Sequence, residues 1–180
     1  AAVGSAKSYI SIKKLDDANC AGTKRSQECS LILTEGDSAK ALAVAGMSVV
    51  GRDTYGAFPL KGKLLNVRDC PHKKLMANKE IQNVMKILGL KPGDKTTDNL
   101  RYGRVIIMAD QDHDGSHIKG LVINLFATFW PELVEKGYVW VFATPIVKAT
   151  KGKQVEMFFD LLEFQQWEAD HPGWKTKYYK

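Results

Sequence analysis

Apolar positions along the chain fall into short unbroken runs and longer helical stripes. Ser30–Thr34 and Val105–Ala109 are runs of the length and β-branched content expected of strands buried on both faces. Tyr138–Val147 is a third such run, interrupted by Pro145. Between them, Ala39–Ala45 is strongly helix-forming. Ile81, Val84, Met85 and Leu88 recur at i, i+3, i+4 and i+7, predicting a helix over 78–88 with Asn78 as its cap. Gly89–Asn99 reads as a loop, and Ser116–Trp130 as a helix closed by Pro131. Gln154–Phe159 predicts a strand, Leu161–Ala169 a helix and Trp174–Tyr179 a last strand. Strands alternating with helices make this an α/β chain: a mainly parallel sheet with helices on both faces. The expected division is a polar lead-in over 1–29, a core over 30–150 and a strand–helix–strand extension over 151–180.

Two strand ends carry the chemistry. The run ending at Ala109 is followed by Asp110, Asp112 and Asp114, then Gly115 and Ser116. Acids spaced by two in an extended segment point the same way, and converging like charges call for a cation among them. A hard divalent ion held by carboxylate oxygens answers this, Mg²⁺ above all where phosphates are handled. The run ending at Thr34 leads into Glu35-Gly36-Asp37-Ser38, where Gly36 permits a sharp turn and Asp37 or Ser38 can cap the next helix. Ligands gather at the carboxyl ends of parallel strands, so Glu35 and the three aspartates can share one crevice.

Two rival motifs fail. An EF-hand loop opening at Asp110 needs a glutamate at its twelfth position, where Leu121 stands. Phe58–Val67 nearly imitates a phosphate-binding P-loop, but Gly56 is one residue too far from Gly62-Lys63, and Leu64 replaces the required hydroxyl.

Charge and cysteine usage narrow the setting. The formal net charge is +6, so a tight acidic knot sits inside a basic chain, as metal-binding carboxylates amid phosphate-binding lysines would. The three cysteines, Cys20, Cys29 and Cys70, form no Cys-x-x-Cys pair and fit free thiols in a reducing compartment. Cys70 and His72 lack the second pair a zinc site needs. No apolar run approaches the roughly 20 residues that span a bilayer, so no membrane partner is expected.

Glu35-Gly-Asp-Ser-Ala39, Pro59-Leu-Lys-Gly-Lys-Leu-Leu-Asn66 and Asp110-Gln-Asp-His-Asp-Gly-Ser-His117 resemble, in order and spacing, the Toprim domain of type IIA DNA topoisomerases. Trp130-Pro-Glu132 and Thr144-Pro-Ile-Val-Lys148 are similar to the eukaryotic rather than the gyrase side of that family. The resemblance runs from about Lys14 to Lys180. It implies a Rossmann-like fold and an ATP-hydrolysing, nuclear, homodimeric enzyme that cuts one duplex, passes another through and reseals. It further implies Glu35 and Asp110 as ligands of a catalytic Mg²⁺, Asp110 and Asp112 as ligands of a second, and Asp114 close by. Mn²⁺ or Ca²⁺ would substitute in binding. Lys61, Lys63 and Asn66 resemble the residues that touch the DNA backbone, although the family often has arginine at the position of Lys61. Glu35 would also exchange a proton with the leaving sugar oxygen. The family's nucleophile is a tyrosine after an arginine in a winged-helix domain. Arg101-Tyr102 does not match it, so that tyrosine and the ATP site are expected in other domains. A stand-alone Toprim nuclease or primase-like enzyme, and a plain nucleic-acid-binding module with structural acids, are the competing readings.

Overall fold

The computed structural model describes residues 10–61, 74, 77–109, 113–142 and 145–179, with only the backbone described for 113–117. It divides into two compact units, Ala1–Phe142 and Ala143–Lys180. In the first, the apolar run Ser30–Glu35 forms β1, and Gly36 turns the chain at φ +72° into helix α1 (Gly36–Val50). Tyr55–Leu60 forms β2, Lys79–Leu88 α2, Arg104–Met108 β3, His113–Phe129 α3, Pro131–Glu135 α4 and Val139–Phe142 β4. All four strands pair in parallel in the order β2-β1-β3-β4.

Strand alternation decides what each face of that sheet buries. On one face Ile32, Ala57 and Met108 meet Ala43, Val44 and Met47 of α1. On the other, Leu31, Leu33, Phe58, Leu60, Val105 and Ile107 join Ile81, Val84, Ile87 and Leu88 of α2 and Leu121, Val122, Leu125 and Phe126 of α3. Each large apolar side chain buried here contributes about 1.5–3 kcal/mol relative to exposure. The stripe on α2 is therefore core, and so is Leu121, the residue that denies the calcium-loop reading. Helix α1 packs against β1 and β2, and farther along the sheet its face is barer: Trp140 and Phe142 of β4 stay exposed, Trp140 beneath the Arg104 guanidinium at 5.1 Å.

The lead-in is irregular but anchored. Asp16 and Ala57 exchange backbone hydrogen bonds of 2.8 and 2.9 Å, extending the free edge of β2 by one bridge. Gly103 lies against the backbone of Gln27, whose Cα would stand 2.9 Å from any added Cβ, so no larger residue fits at that close approach.

The second unit holds β5 (Val147–Lys151), β6 (Gln154–Phe158), α5 (Leu161–Asp170) and β7 (Lys175–Tyr178). Its sheet is antiparallel, in the order β6-β5-β7, around Val147, Ala149, Phe158 and Phe164. The strands expected over 154–159 and 174–179 form in this small antiparallel sheet, where one two-residue turn returns β6 beside β5 and α5 brings β7 to its other side. The run Tyr138–Val147 supplies two strands, β4 and β5, in different sheets. Tyr55–Leu60 is a strand that its Gly56 and Pro59 conceal in the sequence.

Candidate metal and DNA-backbone site

Parallel pairing puts the carboxyl ends of β1, β2 and β3 on one edge. Glu35 closes β1 opposite Leu60 of β2, and Thr34 stands opposite Met108 of β3. In the order β2-β1-β3-β4, the connections run to opposite sides of β1, so the crevice between β1 and β3 is the topological switch point where α/β sheets take ligands. Glu35 is half-buried and occupies the position before the first turn of α1. Behind it Thr34 is fully buried, with its hydroxyl 3.2 Å from the Gly36 carbonyl.

Basic groups stand around this edge. Lys61 lies just past the end of β2, exposed, and its backbone N–H donates to the Glu80 carboxylate at 3.4 Å. Lys14 reaches Asp37 at 2.5 Å and Lys40 reaches Asp16 at 2.5 Å. The Lys14 ammonium, with Lys61 and Lys40 adding to it, holds the Asp37 carboxyl below the usual aspartate range. Sequence reasoning weighed Asp37 only as a cap, yet the side chain is an ion-pair partner; its lysine lies 23 residues away, beyond any local signal.

Of the carboxylates expected beside Glu35, Asp110 and Asp112 lie outside the described residues, as do Lys63, Asn66, Cys70 and His72. Asp114 falls in the first turn of α3 with its side chain outside the description, as are those of His113 and His117. Among the described residues, no three His, Cys, Asp or Glu side chains stand together as a metal cluster. A cleft of about 260 Å³ opens elsewhere, lined by Ile12, Leu15, Asp16, Asn19, Met47 and Arg52, toward the far end of α1 from Glu35.

Residues 30–144 match the family model described as "Toprim domain", and residues 142–180 the one described as "C-terminal associated domain of TOPRIM". The chain belongs to the Toprim family. Its similarity within that family is to eukaryotic DNA topoisomerase II. It is 60% identical over 177 residues to DNA topoisomerase 2 of Plasmodium falciparum, covering 95% of this chain and 13% of that protein. With human DNA topoisomerase 2-alpha it is 54% identical over 177 residues, covering 94% and 12%. A crystal structure of the Plasmodium falciparum topoisomerase II DNA-binding, cleavage and re-ligation domain superposes with a TM-score of 0.80 at 58% identity, over 96% of this chain and 24% of that one. The chain thus spans about an eighth of the length of the curated relatives it matches.

Within this Toprim fold, Arg101-Tyr102 is structural. Tyr102 is fully buried; its hydroxyl donates to Asp17 at 2.5 Å and accepts from the Ala18 N–H at 2.9 Å. Burial, then the bond to Asp17, pushes its ionisation well above the ordinary tyrosine value, so no phenolate forms there at neutral pH.

Proposed function

We propose that this Toprim chain supplies the metal-binding carboxylates and part of the DNA-backbone surface of a type II DNA topoisomerase cleavage centre, completed by a tyrosine from a winged-helix domain. The observation that carries this reading is the placement of Glu35 at the end of β1, immediately beside the end of β3 that leads into Asp110, at the switch point of a β2-β1-β3-β4 sheet. The donor set fits: carboxylate oxygens alone suit a hard ion such as Mg²⁺. Glu35 and Asp110 would hold one Mg²⁺, Asp110 and Asp112 a second, with Asp114 steadying the loop. Bound there, the ions supply positive charge against the oxygens of the scissile and a neighbouring phosphate. Lys61, Lys63 and Asn66 bind the DNA backbone, so the duplex is gripped without regard to sequence. The complete protein acts in the nucleus as a homodimer and draws on ATP through another domain.

Mg²⁺ titration followed by NMR tests the site. Because this ion keeps its waters and takes one or two carboxylates from protein, affinity without DNA is expected in the millimolar range. Resonances of Glu35, Asp110 and Asp112 should move first, and Glu35→Gln should weaken the response while leaving the remaining spectrum in place. Shifts centred on Asp16 and Asp17 instead would overturn the assignment.

A further inference from the structure

The C-terminal unit separates its charges front from back. In the antiparallel sheet, residues facing one another across strands share a face. Val147, Ala149 and Phe158 are buried on one face, and Tyr178 joins them, edge-on to Phe164 of α5 at 5.9 Å. The opposite face carries two cross-strand rows. Met157, Lys148 and Lys177 form one, and Val155, Thr150 and Lys175 the other. Tyr179 continues this face, its ring 5.1 Å from the Lys177 ammonium. Val155 is 46% and Met157 51% exposed, and Lys175 and Lys177 are open to solvent.

Among the described residues, this face has three lysines and no carboxylate. The unit's acids lie on the other side: Glu156 shares the face of Ala149, and Asp160, Glu163, Glu168 and Asp170 cap or lie on α5, which packs against that face. Lys148 stands directly opposite Lys177, and like charges at that spacing destabilise a sheet. A carboxylate at Met157, the other neighbour of Lys148, would relieve that repulsion within the chain, yet an apolar residue stands there. An anionic partner would relieve it from outside.

We propose that the open face of the β6-β5-β7 sheet is a second contact surface for the phosphate backbone of duplex DNA. Lys148 and Lys177 meet phosphates in one row and Lys175 in the next, roughly 7 Å along the strand, while Val155 and Met157 of β6 form an apolar margin on the side of β5 away from β7. An acidic protein segment would satisfy the same charges. Duplex DNA is favoured because the first unit is already read as binding it, and the inference rests on that reading.

The experiment measures binding of the 180-residue chain to a labelled mixed-sequence duplex by fluorescence anisotropy over a range of salt concentrations. Each lost phosphate contact flattens the slope of log K against log [salt] by about 0.9. The triple variant Lys148→Gln, Lys175→Gln, Lys177→Gln should therefore flatten it by about 2 to 3 and weaken binding most at low salt. Replacing the three with arginine should retain the wild-type slope. Removing the Lys148–Lys177 repulsion should not lower the melting temperature, and Lys175→Gln alone, at an exposed position on an edge strand, gives a one-contact version. A glutamine triple variant with wild-type affinity and slope overturns the proposal. Flattening by Lys61→Gln and Lys63→Gln but not by the triple variant would leave the cleavage-site reading standing and sink this one. Absence of DNA binding by the wild-type chain would remove both.

Discussion

Asp17 shows how much one side chain in the lead-in carries. Its carboxylate receives both terminal nitrogens of Arg101, at 2.5 and 3.3 Å, together with the Tyr102 hydroxyl. Arg101 is 5% exposed and also donates to the Ile87 carbonyl at 2.9 Å, so the group ties the lead-in to α2 and to the entry of β3. Removing one partner of a buried ion pair strands the other, at a cost of about 3–5 kcal/mol where burial is complete. Asp17 keeps some access to water, so Asp17→Ala should destabilise the chain by about 3 kcal/mol. Chemical denaturation measures this, and a loss below that of an ordinary surface substitution would refute it. In the sequence, Asp16 and Asp17 read as two more polar residues of a lead-in, because their partners lie far along the chain. The position of Glu35 at the end of β1 was legible for the opposite reason: the strand, the acid and the turn after it are contiguous.

At the scale of elements, legibility follows the same division between local and distant causes. Helix α2 is written in its own residues. The Asn78 side chain accepts from the N–H groups of Glu80 and Ile81 at 2.9 and 3.1 Å, the buried stripe follows, and Gly89 closes the helix at φ +74°. Asn78→Ala removes the cap without touching the core and should lower stability by about 1 kcal/mol, read as a shift in denaturation midpoint at unchanged slope. No shift would mean the cap is redundant with the packing of Ile81. Strand β2 is the contrary case. Gly56 and Pro59 break its periodicity, and it becomes a strand only because β1 pairs along its whole length and Asp16 bridges its other side. Gly56 is required as well, since an added Cβ would collide with the Tyr102 hydroxyl. The assignment of β5, β6 and β7 to a separate sheet likewise depends on antiparallel returns that alternation of strands and helices does not reveal.

For the whole molecule, the placement of the tyrosines bears directly on catalysis. Among the described tyrosines, which leave out Tyr9, Tyr55 opens β2, Tyr102 lies just before β3 and Tyr138 immediately before β4. All three therefore sit at the amino edge of the parallel sheet, about 15–20 Å of strand away from the edge that Glu35 occupies. Tyr102 and Tyr138 are in addition buried, at 0% and 2% exposure. Tyr178 and Tyr179 of the C-terminal unit are engaged by Phe164 and by Lys177. Phosphoryl transfer needs its nucleophile held in line with the leaving oxygen, and carboxylates with their cations contribute charge without that partner. The chain alone should therefore bind DNA but leave it intact with Mg²⁺, and protein-linked linear DNA should appear only once the tyrosine-bearing domain is supplied on the same polypeptide. In that completed protein, Glu35→Gln should keep DNA binding while cleavage and resealing both fall by orders of magnitude. The assay incubates supercoiled plasmid with protein and Mg²⁺, quenches with denaturant and scores protein-linked linear product. Robust nicking by the 180-residue chain, abolished by Asp110→Asn, would instead make these carboxylates the centre of a water-using Toprim nuclease.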